Sequence, residues 1–83
     1  MNPEIKMTDW VSRTPDPKIR LCKCRACKSP NVVLFRRIVT EREGEMHKEY
    51  KVVCQHCGAH TLTHWSKNIA QHEWNNNQEG GNL

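Results

Sequence analysis

Two cysteine pairs constrain this chain more than any other feature: Cys24-x2-Cys27 and Cys54-x2-Cys57, with 26 residues between them. In a C-x2-C step, a tight turn brings two sulfurs to one side of an ion while backbone N–H groups point at them. Zinc prefers a tetrahedron of soft donors, with sulfur at about 2.3 Å. For the second pair to meet the first, the intervening chain must travel out and return, so a β-hairpin is the expected link. Gly58, directly after Cys57, suits a knuckle turn that favours positive φ. The expectation is one structural zinc held by Cys24, Cys27, Cys54 and Cys57. A rubredoxin-like iron site uses the same pairs, and sequence alone leaves that alternative open. Iron–sulfur chemistry has no companion signal of electron transfer here. A thioredoxin-like redox role needs C-x-x-C beside a βαβ pattern, which is absent. Four thiolates close the coordination shell, which leaves no open position for catalysis at the metal. The chain is not expected to be an enzyme.

Five cysteines leave one over. Cys22 lies two residues before Cys24; it is read as spare, the alternative being that it replaces Cys24 as a ligand. An odd count weighs against a secreted disulfide framework. The N-terminal "MNPEIKMTDW" holds neither a long apolar run nor a small-residue cleavage site, so no signal peptide and no membrane span are expected there. A reducing bacterial cytoplasm is the expected compartment, where paired cysteines more often hold metal than form disulfides. At 83 residues with 27% charged side chains, the chain has little apolar material for a core and needs a staple.

Along the chain, three segments are expected. Residues 1–20 read as an N-terminal tail or extended arm, with Pro15 and Pro17 opposing helix and Trp10 and Val11 as the anchor. Residues 21–76 read as the zinc-ribbon domain, and residues 77–83 as a polar, disordered C-terminal tail. Within the domain, "NVVLFRRIVT" has the β-branched and aromatic density of a strand, "EREGEM" turns at Gly44, and "HKEYKVV" returns. "AHTLTHW" makes a third short strand, and "SKNIAQHEWNN" a final helix capped by Ser66. Ala70 and Trp74 would share one helix face beside Ile69, with Trp74 packing the helix on the hairpin. The fold class is thus a small metal-stapled α+β zinc ribbon: an antiparallel hairpin or three-stranded sheet plus a C-terminal helix.

Charge adds a second theme. The formal net charge is +4, and residues 21–53 carry most of the excess. Four thiolates around one divalent ion would lower that net charge to about +2. Lys23, Arg25 and Lys28 therefore read as counter-charge to the cluster. Arg36, Arg37 and Arg42 on or near the hairpin are the candidate contacts to phosphate, with Tyr50 or Phe35 stacking on bases. The plainer reading of those arginines is a solvated strand face. Trp65 is a candidate partner contact if it lies exposed beside them. His60 and His64 would sit roughly 13 Å apart on a strand, too far for a metal pair. Each of the histidines reads as a solvated polar residue.

The residue order L-x-x-C-x-x-C-x-S, a hairpin, C-x-x-C-G-A, and a short helix ending A-x-x-x-W-N resembles the restriction-alleviation (Lar) family of small phage and prophage zinc-ribbon proteins. Leu21, Cys24, Cys27, Ser29, Cys54, Cys57, Gly58, Ala59, Ala70, Trp74 and Asn75 carry the likeness, which covers residues 21–77. The family's glycine after the first knuckle is Lys28 here, its proline-aromatic pair is Arg25-Ala26, and Asn77 stands near the place of its arginine after "WN". The resemblance implies an accessory protein that relieves host restriction by binding a host protein, a component of a type I restriction–modification system. It implies the four cysteines as zinc ligands and no catalytic residue. The alternative function is a nucleic-acid-binding zinc ribbon with a regulatory role.

Overall fold

The structure, a computed structural model, describes residues 5–80. Five elements follow one another: β1 (Lys6–Met7), β2 (Val11–Arg13), β3 (Val32–Thr40), β4 (Met46–Cys54) and α1 (Lys67–Gly80). The expected hairpin is β3 and β4, paired antiparallel along their full length from Val32↔Cys54 to Thr40↔Met46. Its turn is closed by the Glu41 amide donating to Glu45 O at 2.6 Å and the Gly44 amide to Glu41 O at 3.0 Å. Gly44 sits at φ 86° with open space where a Cβ would be, so glycine is favoured there by backbone conformation alone.

Strand alternation sorts the hairpin into two faces. Leu34 opposes Val52, Val32 opposes Cys54, and Arg36 opposes Tyr50 on one face. Val33, Phe35, Arg37 and Val39 oppose Val53, Lys51, Glu49 and His47 on the other. Helix α1 covers the first face at the metal end, where Leu34, Val52, Cys24, Cys54, Ala70 and Trp74 form the core. Ser66 caps the helix as expected, its Oγ accepting the Asn68 amide at 3.2 Å. Ile69 does not join that face: it is 52% exposed, whereas Gln71 is fully buried. The inward stripe runs through Ala70, Gln71 and Trp74, and Ile69 lies about 100° around the helix from Ala70. The helix backbone continues to Gly80, past the boundary expected at residue 76. The expected tail is otherwise outside the described residues.

The N-terminal arm is part of the sheet. β1 and β2 both pair antiparallel with the edge of β3 that β4 leaves free, Met7↔Val39 and Val11↔Arg36. Between those pairs, Thr8, Asp9 and Trp10 of the arm face only Arg37 and Ile38 of β3, which is a one-residue bulge. The Thr8 hydroxyl accepts the Ile38 amide at 2.9 Å and bridges the gap. Trp10 turns onto the face away from the helix, with the Arg37 guanidinium 4.5 Å and the Lys51 ammonium 4.4 Å from its ring centroid. On the other edge, the expected third strand is reduced to two bridges, His64↔Tyr50 and His60↔Val53. Between them buried Thr61 accepts the Val52 amide through Oγ1 at 3.1 Å. No described helix is long and apolar enough to cross a membrane.

Candidate metal centre

The two knuckles are built alike. In the first, the Lys28 amide donates to Cys24 O at 2.7 Å and the Cys24 amide to Ser29 O at 3.0 Å. In the second, the Gly58 amide donates to Cys54 O at 2.9 Å and the Cys54 amide to Ala59 O at 2.8 Å. Both turns need positive φ at the residue after the second cysteine: Gly58 stands at 86° and Lys28 at 67°. Lysine thus occupies the conformation in which the resembled family uses glycine, at a cost glycine would avoid.

These turns bring the four sulfurs together within 4.8 Å of one another. Cys24 Sγ lies 3.6 Å from Cys57 Sγ, and Cys27 Sγ lies 3.5 Å from Cys54 Sγ. A disulfide would hold its sulfurs at about 2.05 Å, so these are four separate donors. A tetrahedron with metal–sulfur bonds of about 2.3 Å has edges of about 3.8 Å, close to what is seen. Cys24 and Cys54 are buried, Cys27 is half-buried and Cys57 lies at the rim. The group therefore fits one tetrahedral metal ion.

The protonation preferences of the four thiols point the same way. Amides of Cys57 and His56 donate to the Cys54 sulfur and outweigh its burial, bringing that thiol down to about 6. At Cys27 the Ser29 amide works to lower the thiol, but burial and the three neighbouring sulfurs outweigh it and push it up to about 12. Cys57 is likewise raised: the Ala59 amide favours its thiolate, but the Cys24 contact and burial prevail. Four sulfurs at contact cannot all ionise beside one another without a cation to carry the charge. A divalent ion supplies it, and its binding releases protons.

Cys22 stands outside this set, and its backbone is what the fold uses. Its amide donates to Asn75 Oδ1 at 3.0 Å, and its carbonyl accepts Trp74 Nε1–H at 2.9 Å. Asn75 Nδ2 also donates to Arg20 O at 2.7 Å. One turn earlier, Gln71 bonds Asp16 and Ile19 in the same manner. The "WN" pair thus clamps the chain that enters the first knuckle onto α1. Nothing local in the sequence marks Gln71 or Asn75 as bonding backbone more than fifty positions away.

The candidate contact residues divide between surfaces. Arg37 donates to Glu49 at 2.8 Å on the face away from the helix. Burial works to raise the Glu49 carboxyl, but hydrogen bonds and charge from Arg37 and His47 outweigh it and leave the group below the usual carboxylate range. Arg42 is exposed at the hairpin turn. Arg36 lies on the opposite face from Arg37, half-buried, with its Nε buried and without a hydrogen-bond partner among the described residues. Trp65 is 81% exposed and stacks on His47, ring centroids 5.8 Å apart. His47 in turn contacts Glu49 and Glu41, both at 3.2 Å. His64 pairs with Glu73 and so ties the third segment to α1, whereas the ring of exposed His60 meets the carbonyl of its own neighbour, Thr61.

No family model matches the chain, and neither a curated protein nor a solved structure does.

Proposed function

We propose that this protein is a zinc-binding accessory protein of phage or prophage type that relieves restriction by docking on a host enzyme in the bacterial cytoplasm. The partner class follows from the family resemblance: a component of a type I restriction–modification system. Zinc is the ion this reading assigns to Cys24, Cys27, Cys54 and Cys57, as a structural staple with its coordination filled by protein.

One observation carries the docking part. Trp65 is 81% exposed, yet it is held in place by its stack on His47. Met46, 70% exposed, joins it around a concavity of about 610 Å3 whose rim also holds Glu41 and Glu45. A large aromatic ring already immobilised loses little side-chain entropy on binding, which is how interface hot spots work. The two glutamates favour a partner segment that is basic as well as apolar.

The test is capture of host proteins from lysate of a strain carrying a type I system, washed at low and high salt, with metal content measured on the same preparation. Capture of a restriction subunit that survives high salt, and is lost on Trp65→Ala with one zinc per chain retained, supports the reading. Equal capture by Trp65→Ala sinks the docking surface, and iron in place of zinc sinks the metal assignment.

A further inference from the structure

A second concavity, of about 680 Å3, lies on the helix-bearing face of the sheet, beyond the start of α1. Four cations from four elements line it: Arg13 of β2, Arg36 of β3, Lys48 of β4 and Lys67 of α1. Register explains the convergence. Arg36 stands opposite Tyr50, Lys48 is two residues before Tyr50 on the same strand, and Arg13 stands opposite Leu34. All of these therefore project to one side, and Lys67 opens the helix that covers the rest of that side.

No carboxylate lines this concavity, and no ion pair among the described residues engages any of the four cations. The other face of the sheet is different: there Arg37 has Glu49, and Trp10 lies over both Arg37 and Lys51. Where a cation is structural in this fold, it has a partner. Arg36 additionally buries a guanidinium N–H with no acceptor, a group that is costly to leave unsatisfied. Lys67 sits at the first position of α1, whose first turn holds no acidic residue. A cation there opposes the helix dipole. A merely solvated cationic face explains neither the buried donor nor the lysine at the wrong helix end.

We propose that this concavity binds a ligand carrying two or more adjacent phosphoryl groups, with Arg36 as the central donor. Guanidinium forks match phosphate oxygens through paired N–H···O bonds, and ammonium groups add charge without fixed geometry. The volume is in the range of small-ligand sites, about 300–1,000 Å3, and exceeds what one inorganic phosphate fills. Tyr50 supplies a ring and a hydroxyl at the same wall. The phosphates come from a nucleoside triphosphate or from successive positions of a nucleic-acid strand, and the experiment separates these. The site is separate from the Trp65 docking surface, with which it shares no lining residue.

Metal-loaded protein is titrated at physiological salt with magnesium-saturated ATP and, separately, with a fluorescein-labelled single-stranded oligonucleotide. Amide spectra locate the response. Saturable binding of either probe, with shifts at Arg13, Arg36, Tyr50 and Lys67, supports the site; ATP alone marks a nucleotide, and the oligonucleotide marks a strand. Arg36→Gln and Lys48→Gln should each weaken binding at least tenfold, and Arg42→Gln, at the distant turn, less than twofold. Lys48 is exposed, so its substitution leaves the fold in place should Arg36→Gln disturb it. Binding of neither probe overturns the proposal, and so does an Arg42→Gln loss as large as that of Lys48→Gln, since a diffuse surface charge would then be responsible.

Discussion

Replacing Gln71 by glutamate tests the clamp between α1 and the arm with a change of almost no volume. Gln71 is 0% exposed. Its Oε1 accepts the Asp16 amide at 2.9 Å, while Nε2 donates to Ile19 O at 2.6 Å and to Asp16 O at 3.3 Å. Glutamate keeps the acceptor but aims its second oxygen at two carbonyl oxygens. As a buried, unpaired carboxylate it would be strongly unfavourable, so it takes up a proton instead. From a reference pKa of about 4.3, holding that proton costs about 4 kcal/mol at pH 7.5 and about 2 kcal/mol at pH 6.0. The protonated acid donates to only one of the two carbonyls, which removes about 1 kcal/mol of hydrogen bonding at either pH. Gln71→Glu should therefore be less stable than the parent by about 5 kcal/mol at pH 7.5 and about 3 kcal/mol at pH 6.0. The folded-state pKa of the new group is raised, so the native state binds more protons than the unfolded one, and stability falls as pH rises. Urea unfolding followed by tryptophan fluorescence, at fixed free zinc and both pH values, measures this. A penalty under about 1 kcal/mol that does not change with pH would mean that residue 71 reaches water, and the clamp would be refuted.

Further expectations concern the metal, the knuckles and the ion pair. Cys57→Ser should lose the metal and the folded state together, because binding at comparable sites contributes about 10–16 kcal/mol; Cys22→Ser should keep one metal per chain and the parent's circular dichroism. Gly58→Ala meets no atom within 4 Å, so only the backbone acts: about 1–2 kcal/mol of left-handed strain less about 0.4–1 from the unfolded chain leaves a net loss of about 0.5–1 kcal/mol. Lys28→Gly, at φ 67°, should show the opposite sign and gain up to about 1 kcal/mol in the same unfolding assay. The Glu49 carboxyl, followed by 13C shifts, should titrate below a free glutamate side chain, and its contribution with Arg37 should be complete above that range and fade as pH falls through the lowered midpoint.

How far the sequence could be read depended on whether each interaction leaves a local mark. The knuckles, the hairpin and the Ser66 cap do so, through cysteine spacing, strand alternation and a capping side chain beside its own helix. The arm does not: β1 and β2 are two and three residues long and are held by backbone pairing to the free edge of β3. Pairing of that kind accepts almost any side chain, so no periodicity announces it. Hydrophobic period also misleads at Ile69, because it assigns the apolar residue inward. Here Gln71 goes inward to meet unpaired backbone at Asp16 and Ile19. Arg36 and Arg37 are both candidate contacts in the sequence; as neighbours in a strand they alternate, and the structure sends them to opposite faces.

The division of those two arginines bears on what the surface is for. The core is small, with Leu34, Val52, Ala70 and Trp74 packed against Cys24 and Cys54. A core of that size gives little stability on its own. Metal binding at a four-thiolate site exceeds it, and that contribution does not depend on how cations are arranged on the sheet. A metal held by the four cysteines would free the outer residues from holding the fold. Arg37 is engaged in structure all the same, paired with Glu49 and packed on Trp10, which anchors the bulged arm to the sheet. Arg36 is not: Tyr50, and not a carboxylate, stands directly opposite it in the pairing. With stability supplied there, Arg13, Arg36, Lys48 and Lys67, none of which enters an ion pair among the described residues, are not required by the fold. Their purpose is then to be sought in what they can bind, and neutralising Lys48 should lower anion affinity while leaving the unfolding midpoint where it was.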